Sequence, residues 1–427
     1  MSILERVLNY LKEDNLFLSG GAGVGKSYLV KEIIQNYQDV IALGSTGISA
    51  VNINGQTIHS FFSFGICNNL EELEVFDRKN RHRIKEINKI LQATKLIVID
   101  EISMVSAALL EMILYRLRGA DFKGRVLVVG DFYQLPPVLK KTNRNIFDDL
   151  VYAFESSAWE VFDFKIVELC EVKRTKNREF ANILNRLRVG ELDKELLEYL
   201  DMLKNQNIDE DSATVLFGRN YEADMLNSAK LELVNSKEFI LKAIFKSMSL
   251  KEDSNKAISW KKSLPIVEEL KLKEKVPVIF TTNKWGAYYN GQRAIVEHID
   301  DDSIVVQKGT KVVKVKRFSF QMNKTIVNSN GEIDYESLCM LEQYPIRLAY
   351  AITIHKSQGM SIDRLVCNVN HIFADSQFYV ALSRGVDPKF LKIRYDGDNF
   401  FNYLKRVVKV SPKVEKFYQN SKITKLD

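Results

Sequence analysis

The stretch LFLSGGAGVGKSYLVKEII, Leu16 to Ile34, constrains this chain more than any other. A short apolar run ends in Gly20, Gly21, Ala22, Gly23, Val24, Gly25, Lys26 and Ser27, and a helical pattern begins at once. This is G-x-x-x-x-G-K-[ST] in the strand, loop and helix context that gives the motif its meaning. Glycines let backbone N–H groups wrap phosphates, Lys26 can reach the β and γ phosphates, and Ser27 can hold magnesium. Three more runs, VIALGS, KLIVIDE and RVLVVGD, alternate with helical patterns through the first 140 residues. Runs that are apolar at consecutive positions read as parallel strands buried on both faces, so a doubly wound α/β domain is expected.

At 427 residues the chain exceeds what one core usually organises, and with 46% hydrophobic residues it can fill more than one. The first domain is expected over 1–150 and a second over 151–427. Phe180 to Leu203 carries apolar residues at helical intervals and reads as two helices broken near Gly190. A second α/β pattern follows in ATVLFGRN, RLAYAIT, DRLVCNV, SQFYVALSRG and KFLKIRYDG. Between its parts, short alternating runs with turn residues predict a small antiparallel barrel at about 287–342. The tail from Lys405 to Asp427 has seven Lys or Arg against two acids and reads as a solvated surface segment.

The first fifteen residues mix charge with apolar positions, unlike a secretory signal, and no apolar run approaches a membrane span. Cys67, Cys170, Cys339 and Cys367 show no metal-ligand or redox spacing, as expected of buried thiols in a reducing cytoplasm. A net charge of +6 does not by itself select a polyanionic partner.

LIVIDEIS places Asp100 and Glu101 at the end of a buried strand. Beside a phosphate loop, one carboxylate can hold magnesium and the next can orient and deprotonate a water. RVLVVGD runs into FYQLPPV, where Pro136 and Pro137 stiffen the loop that carries Gln134, an amide placed to sense a γ-phosphate. TIHKSQGMS, Thr353 to Ser361, lacks the first glycine and the final Lys-Ser pair of a second phosphate loop. Set between two apolar runs, it reads as a polar turn at a strand end of the second domain.

GGAGVGKS, GSTGISAVNINGQTIHSFF, IDEISM, GDFYQLPPV, TIHKSQGM and YVALSRG occur in the order and rough spacing of superfamily 1 DNA helicases, and the chain resembles the RecD/Pif branch. The resemblance covers Gly20 to about Gly385. It implies two RecA-like doubly wound P-loop NTPase domains with ATP and magnesium (Mg2+) between them, and 5′ to 3′ movement on single-stranded DNA. Lys26, Ser27, Asp100, Glu101 and Gln134 take the nucleotide roles above. Arg384, and Arg174 in EVKRTKN, would reach the γ-phosphate. Thr175 stands where the family usually has glutamine.

The implied DNA-facing residues are Ser45, Thr46, Gly47, Thr57, His59, Ser60, Phe61 and Phe62 in the first domain. In the second they are His355, Lys356 and Ser357, with Gln358 and Gly359 turned to the nucleotide cleft. Hydroxyls and amides suit phosphates, and aromatics stack on bases. A small wedge insertion at about 65–94 would split duplex at single-strand/duplex junctions, and the motor would act as a monomer in replication, repair or recombination. The same motifs would serve a translocase that does not separate strands, or an ATP-gated nucleic-acid-binding subunit of a repair complex.

Overall fold

The computed structural model describes residues 2–137 and 150–426. Its first helix, Ile3–Glu13, starts in a capping box: the Ser2 hydroxyl accepts from the Glu5 amide, and the Glu5 carboxylate accepts from the Ser2 amide. Val7 and Leu11 of this helix are buried. Strands β1 (Leu16–Gly20), β2 (Val40–Gly44), β3 (Gln56–Thr57), β4 (Leu96–Asp100), β5 (Arg125–Gly130) and β6 (Lys165–Leu169) follow. They form one parallel sheet in the order C-terminal strand Ile423–Leu426, β6, β1, β5, β4, β2, β3. Phe17 packs into the core on one face, while Leu16 and Leu18 pack into the core on the other. That alternation is why the strand reads as continuously apolar.

Two expectations are corrected here. The sheet does not stop at residue 150, because β6 and the C-terminal strand both join it. The tail is not simply a solvated segment: helix Pro412–Asn420 buries Val414 and Tyr418, and Leu426 is buried in the strand that pairs with β6. Parallel neighbours need only a crossover, so a sheet can recruit a strand from the far end of the chain. The tail's lysines fall on the exposed side of these elements, which is why composition misled.

The second α/β unit has a parallel sheet in the order Ala351–Thr353, Thr214–Phe217, Leu365–Asn368, Leu391–Arg394. Helices Arg178–Arg188 and Lys194–Asn205 lead into it, separated at Gly190, whose φ is +76°. RLAYAIT, read as one strand, divides between two sheets. Ile346–Leu348 pairs antiparallel with Pro277–Phe280, and Ala351–Thr353 joins the parallel sheet.

The antiparallel sheet runs Lys311–Val315, Ile304–Lys308, Arg293–Ile299, Pro277–Phe280, Ile346–Leu348, so it extends beyond the expected 287–342 at both ends. Strands Phe318–Val327 and Ile333–Gln343 leave it as a long hairpin, joined by Ile244–Ser247. The hairpin reaches the first unit: Gln56 Nε2 donates to Thr325 Oγ1 (2.8 Å) and the Tyr335 hydroxyl to the Val40 carbonyl (3.0 Å).

Residues 65–94, irregular by composition, form helices Leu70–Lys79 and Arg81–Ala93. Leu73, Ile87, Ile90 and Leu91 anchor them in the first unit's core, and the buried Arg116 guanidinium grips both oxygens of Asp77. Among the described residues no helix is long and apolar enough to cross a membrane.

Candidate nucleotide site and nucleic-acid interface

The phosphate loop turns through Gly23 (φ +80°) and Gly25 (φ +93°), conformations that disfavour any side chain. A Cβ on Gly23 would also sit 2.5 Å from Arg174 Cβ. The Gly23 carbonyl accepts from the amides of Lys173 (2.8 Å) and Arg174 (3.1 Å), which ties the loop to the segment after β6. Lys26 opens helix Lys26–Asn36 and donates Nζ to the carbonyls of Gly20 (2.6 Å) and Gly21 (2.9 Å). Burial pulls its pKa down, while Asp131, Glu101 and Asp100 act in the opposite sense. Ser27 is exposed at the helix start.

Asp100 ends β4 almost fully buried, and burial, then the charge of Glu101, push its carboxyl pKa up. Such an acid is ready for a cation. Glu101 holds φ +56°, a left-handed conformation costing roughly 1–3 kcal/mol for a residue with a side chain, a strain typical of functional positions. Gln134 is buried and donates Nε2 to Asp131 (3.3 Å).

Asp131 is itself fully buried and is held by Arg188 through Nε (3.0 Å) and a terminal nitrogen (3.0 Å). Arg188 also reaches Glu168 (2.8 Å). The charge of Asp131 drives the Arg188 pKa well above its ordinary value in spite of burial. Two tyrosines complete the setting: the Tyr379 hydroxyl accepts from the Ala22 amide (2.8 Å), and the Tyr418 hydroxyl lies 3.0 Å from Ser19 Oγ and accepts from the Phe132 amide.

Sequence reasoning passed over Asp131, Arg188, Tyr379 and Tyr418. For Arg188 a signal existed, since Phe180, Leu184 and Arg188 fall four residues apart on the buried face of one helix. The tyrosines offered none.

Arg174 and Arg384 come together behind the loop. Arg174 donates Nε to Ser361 Oγ (3.0 Å) and a terminal nitrogen to the Ser383 carbonyl. Arg384, 2% exposed, donates to the Val380 carbonyl (3.0 Å), Ser383 Oγ (2.8 Å) and the Ser357 carbonyl (3.4 Å). Burial lowers both pKa values, and burial with the neighbouring Arg384 charge brings Arg174 to about 9. Among the described residues neither has a carboxylate ion pair. Two desolvated guanidiniums bonded only to neutral oxygens make a site for a polyanion.

The DNA-facing candidates divide. Thr46 caps helix Gly47–Asn52, Thr57 caps helix Ile58–Phe62, and the Ser45 amide donates to the Asp100 carbonyl (3.3 Å). Gly47, Thr57, exposed His59 and Ser60 line a groove of about 350 Å³ with Arg83, Lys256 and Trp260. The end of helix Asn255–Ser263 covers Gly47, where a Cβ would lie 2.1 Å from the Ser263 carbonyl oxygen. Phe61 and Phe62 do not face the groove: both are buried with Phe64, the Phe62 and Phe64 rings stacked at 5.3 Å. Their spacing on a short capped helix turns them inward.

His355, Lys356 and Gln358 share a cavity of about 190 Å³ with Thr46, Asn52 and Glu101. Gln358 Nε2 is buried without a partner, and Gly359 has φ +75°. Ser357 is fully buried, its hydroxyl spent on the Ile354 carbonyl (2.8 Å), so its side chain is not presented to a strand.

A family model described as PIF1-like helicase matches residues 1–197, and one described as Helicase matches 304–416. The chain is 41% identical to the ATP-dependent DNA helicase Pif1 of Campylobacter jejuni, over 99% of this chain and 98% of that protein. Among solved structures, Bacteroides sp. Pif1 in complex with ADP-AlF4 superposes with a TM-score of 0.85 at 28% identity, covering 98% of this chain and 96% of that one. Bacteroides Pif1 bound to ssDNA superposes with a TM-score of 0.66 at 28% identity, covering 97% and 95%.

Proposed function

We propose, for a chain that belongs to the PIF1-like helicase family and is an ATP-dependent 5′ to 3′ DNA helicase, how its own residues couple hydrolysis to strand movement. The observation that carries the reading is the pair Arg174 and Arg384, unpaired side by side where the second unit meets the phosphate loop. ATP with magnesium supplies the phosphoanhydride bond whose cleavage drives the cycle. The residues fit it: a glycine cradle, a lysine parked on two loop carbonyls, a buried acid that feels that lysine's charge, and an exposed serine next to the lysine in the chain.

Lys26 exchanges the Gly20 and Gly21 carbonyls for phosphate oxygens, and Ser27 and Asp100 hold magnesium. Glu101 orients the attacking water and takes its proton. Gln134, Gln358 and Gly359 line the γ-phosphate side. Arg174 and Arg384 stabilise charge that develops on the transferred group. The Ser45 amide on the Asp100 carbonyl, and the cavity shared by Glu101 with Thr46 and Lys356, connect this chemistry to the strand.

Single-stranded DNA and its junctions with duplex are the partner. Thr46, Gly47, Thr57, His59 and Ser60 grip it on the first unit, and His355 and Lys356 grip it on the second. Helices Leu70–Lys79 and Arg81–Ala93, with Ile66 exposed at their base, act as the wedge. The motor works as a monomer, in the cytoplasm, where thiols stay reduced.

In the test, wild-type protein unwinds a 5′-tailed duplex but not a 3′-tailed one. Lys26→Ala loses DNA-stimulated ATP hydrolysis and unwinding together, and a Lys26→Ala protein that still unwinds defeats the reading.

A further inference from the structure

A second cavity, of about 300 Å³, opens beside Thr353–Lys356, between helix Asn220–Glu232 and strands Glu269–Leu272 and Ile346–Leu348. Arg347 and Lys356 line it. Among the described residues no hydrogen bond or ion pair reaches either side chain's charged group. Asp224 lines the same cavity, but it is exposed to water and pairs with neither.

Burial lowers the pKa of both cations, and the charge of Arg347 lowers that of Lys356 further. Arg347 is not free to swing away at its backbone, which is locked in register opposite Ile279. The cavity wall is fixed as well, since the Asn227 amide bonds both the carbonyl (2.8 Å) and the N–H (3.0 Å) of Ala351. A half-buried guanidinium with five unused donors beside a second cation is unfavourable unless an anion joins them.

Position says which anion. Lys356 lines this cavity and also the one that holds Thr46 and Glu101, and Gly47, next in the chain, lines the first unit's groove. Lys356 thus borders two of these spaces, and the adjacent Thr46 and Gly47 border the second and the third. We propose that Arg347 and Lys356 form a phosphodiester subsite, holding a backbone phosphate of the single strand on the second unit beyond the domain junction. This rests on the reading of single-stranded DNA as ligand.

The test uses the full chain and the variants Arg347→Met and Arg347→Lys. Binding of a fluorescent oligothymidylate is followed by anisotropy over a range of salt. Arg347→Met weakens binding and lowers the slope of log affinity against log salt by about 0.7, the change expected when one phosphate fewer is neutralised on a single strand. Arg347→Lys keeps the slope. In the same Arg347→Met protein without DNA, the melting temperature holds or rises, because an unpaired charge has left a desolvated site.

Unchanged affinity and slope in Arg347→Met overturn the subsite, and so does a fall in melting temperature that accompanies the weaker binding. Loss of fluorescent ADP affinity with the DNA slope intact assigns the anion to the nucleotide and overturns it too. Failure of the wild-type chain to bind the oligonucleotide removes the underlying reading as well, so the two failures are told apart.

Discussion

Arg188 carries several duties with one side chain. It grips Asp131 with two nitrogens and Glu168 with a third, and it lies over the Tyr133 ring at 5.0 Å. Asp131 in turn receives Gln134 Nε2, so the guanidinium sets the platform of Gln134, the proposed γ-phosphate sensor, from behind. Removing one partner of a buried pair leaves the other uncompensated, at a cost of roughly 3–5 kcal/mol, whereas replacing both can be close to neutral. Arg188→Ala should therefore lower stability by about that amount in urea unfolding. Asp131→Asn with Arg188→Met should recover much of it; a double variant as unstable as the single one would mean that the ion pair is not the cause. Arg188 was legible from its helical spacing. Tyr418 was not, because nothing local says that a tyrosine 399 residues from Ser19 meets its hydroxyl.

Among the elements, the C-terminal strand decides where the first unit ends. Ile423–Leu426 covers the edge of β6, and Leu426 is 1% exposed. Burial of that side chain alone is worth about 2 kcal/mol, before the ladder bonds to β6 are counted. Deleting 423–427 should lower the melting temperature of the whole chain and open an unpaired parallel edge that promotes association. An unchanged melting curve and an unchanged light-scattering profile would show that the strand adds nothing. The strands β1, β2, β4 and β5 were readable because both their faces are buried and nearly every position is apolar. The C-terminal strand was not, because an edge strand of four residues shows one buried face and two lysines nearby.

Across the molecule as a whole, the long hairpin Phe318–Gln343 and helix Asn255–Ser263 rest on the first unit and stand over the groove that contains Thr57 and His59. The overall arrangement agrees better with the ADP-AlF4 complex of Bacteroides Pif1, TM-score 0.85, than with its ssDNA complex, 0.66. Under the proposed function a strand entering this groove meets the docked hairpin, and lifting the hairpin is expected to limit its entry. Gln56→Ala with Tyr335→Phe removes two hydrogen bonds of about 1 kcal/mol each, enough to speed single-strand association by up to about 30-fold. Stopped-flow fluorescence reads this directly, and an unaltered association rate means that hairpin docking does not limit entry.

The phosphate loop, the acids at the end of β4 and the polar turn at Thr353 are each written in contiguous residues, so the chain's order of residues was enough to find them, whereas Arg174 and Arg384, brought together from segments about 200 residues apart, were reached only through the resemblance. Tertiary packing was needed to turn Phe61, Phe62 and Ser357 inward, to set Arg188 and Tyr418 behind the nucleotide site, and to leave Arg347 without a counter-ion. Those outcomes follow from burial and from contacts between segments hundreds of residues apart, which no local pattern encodes.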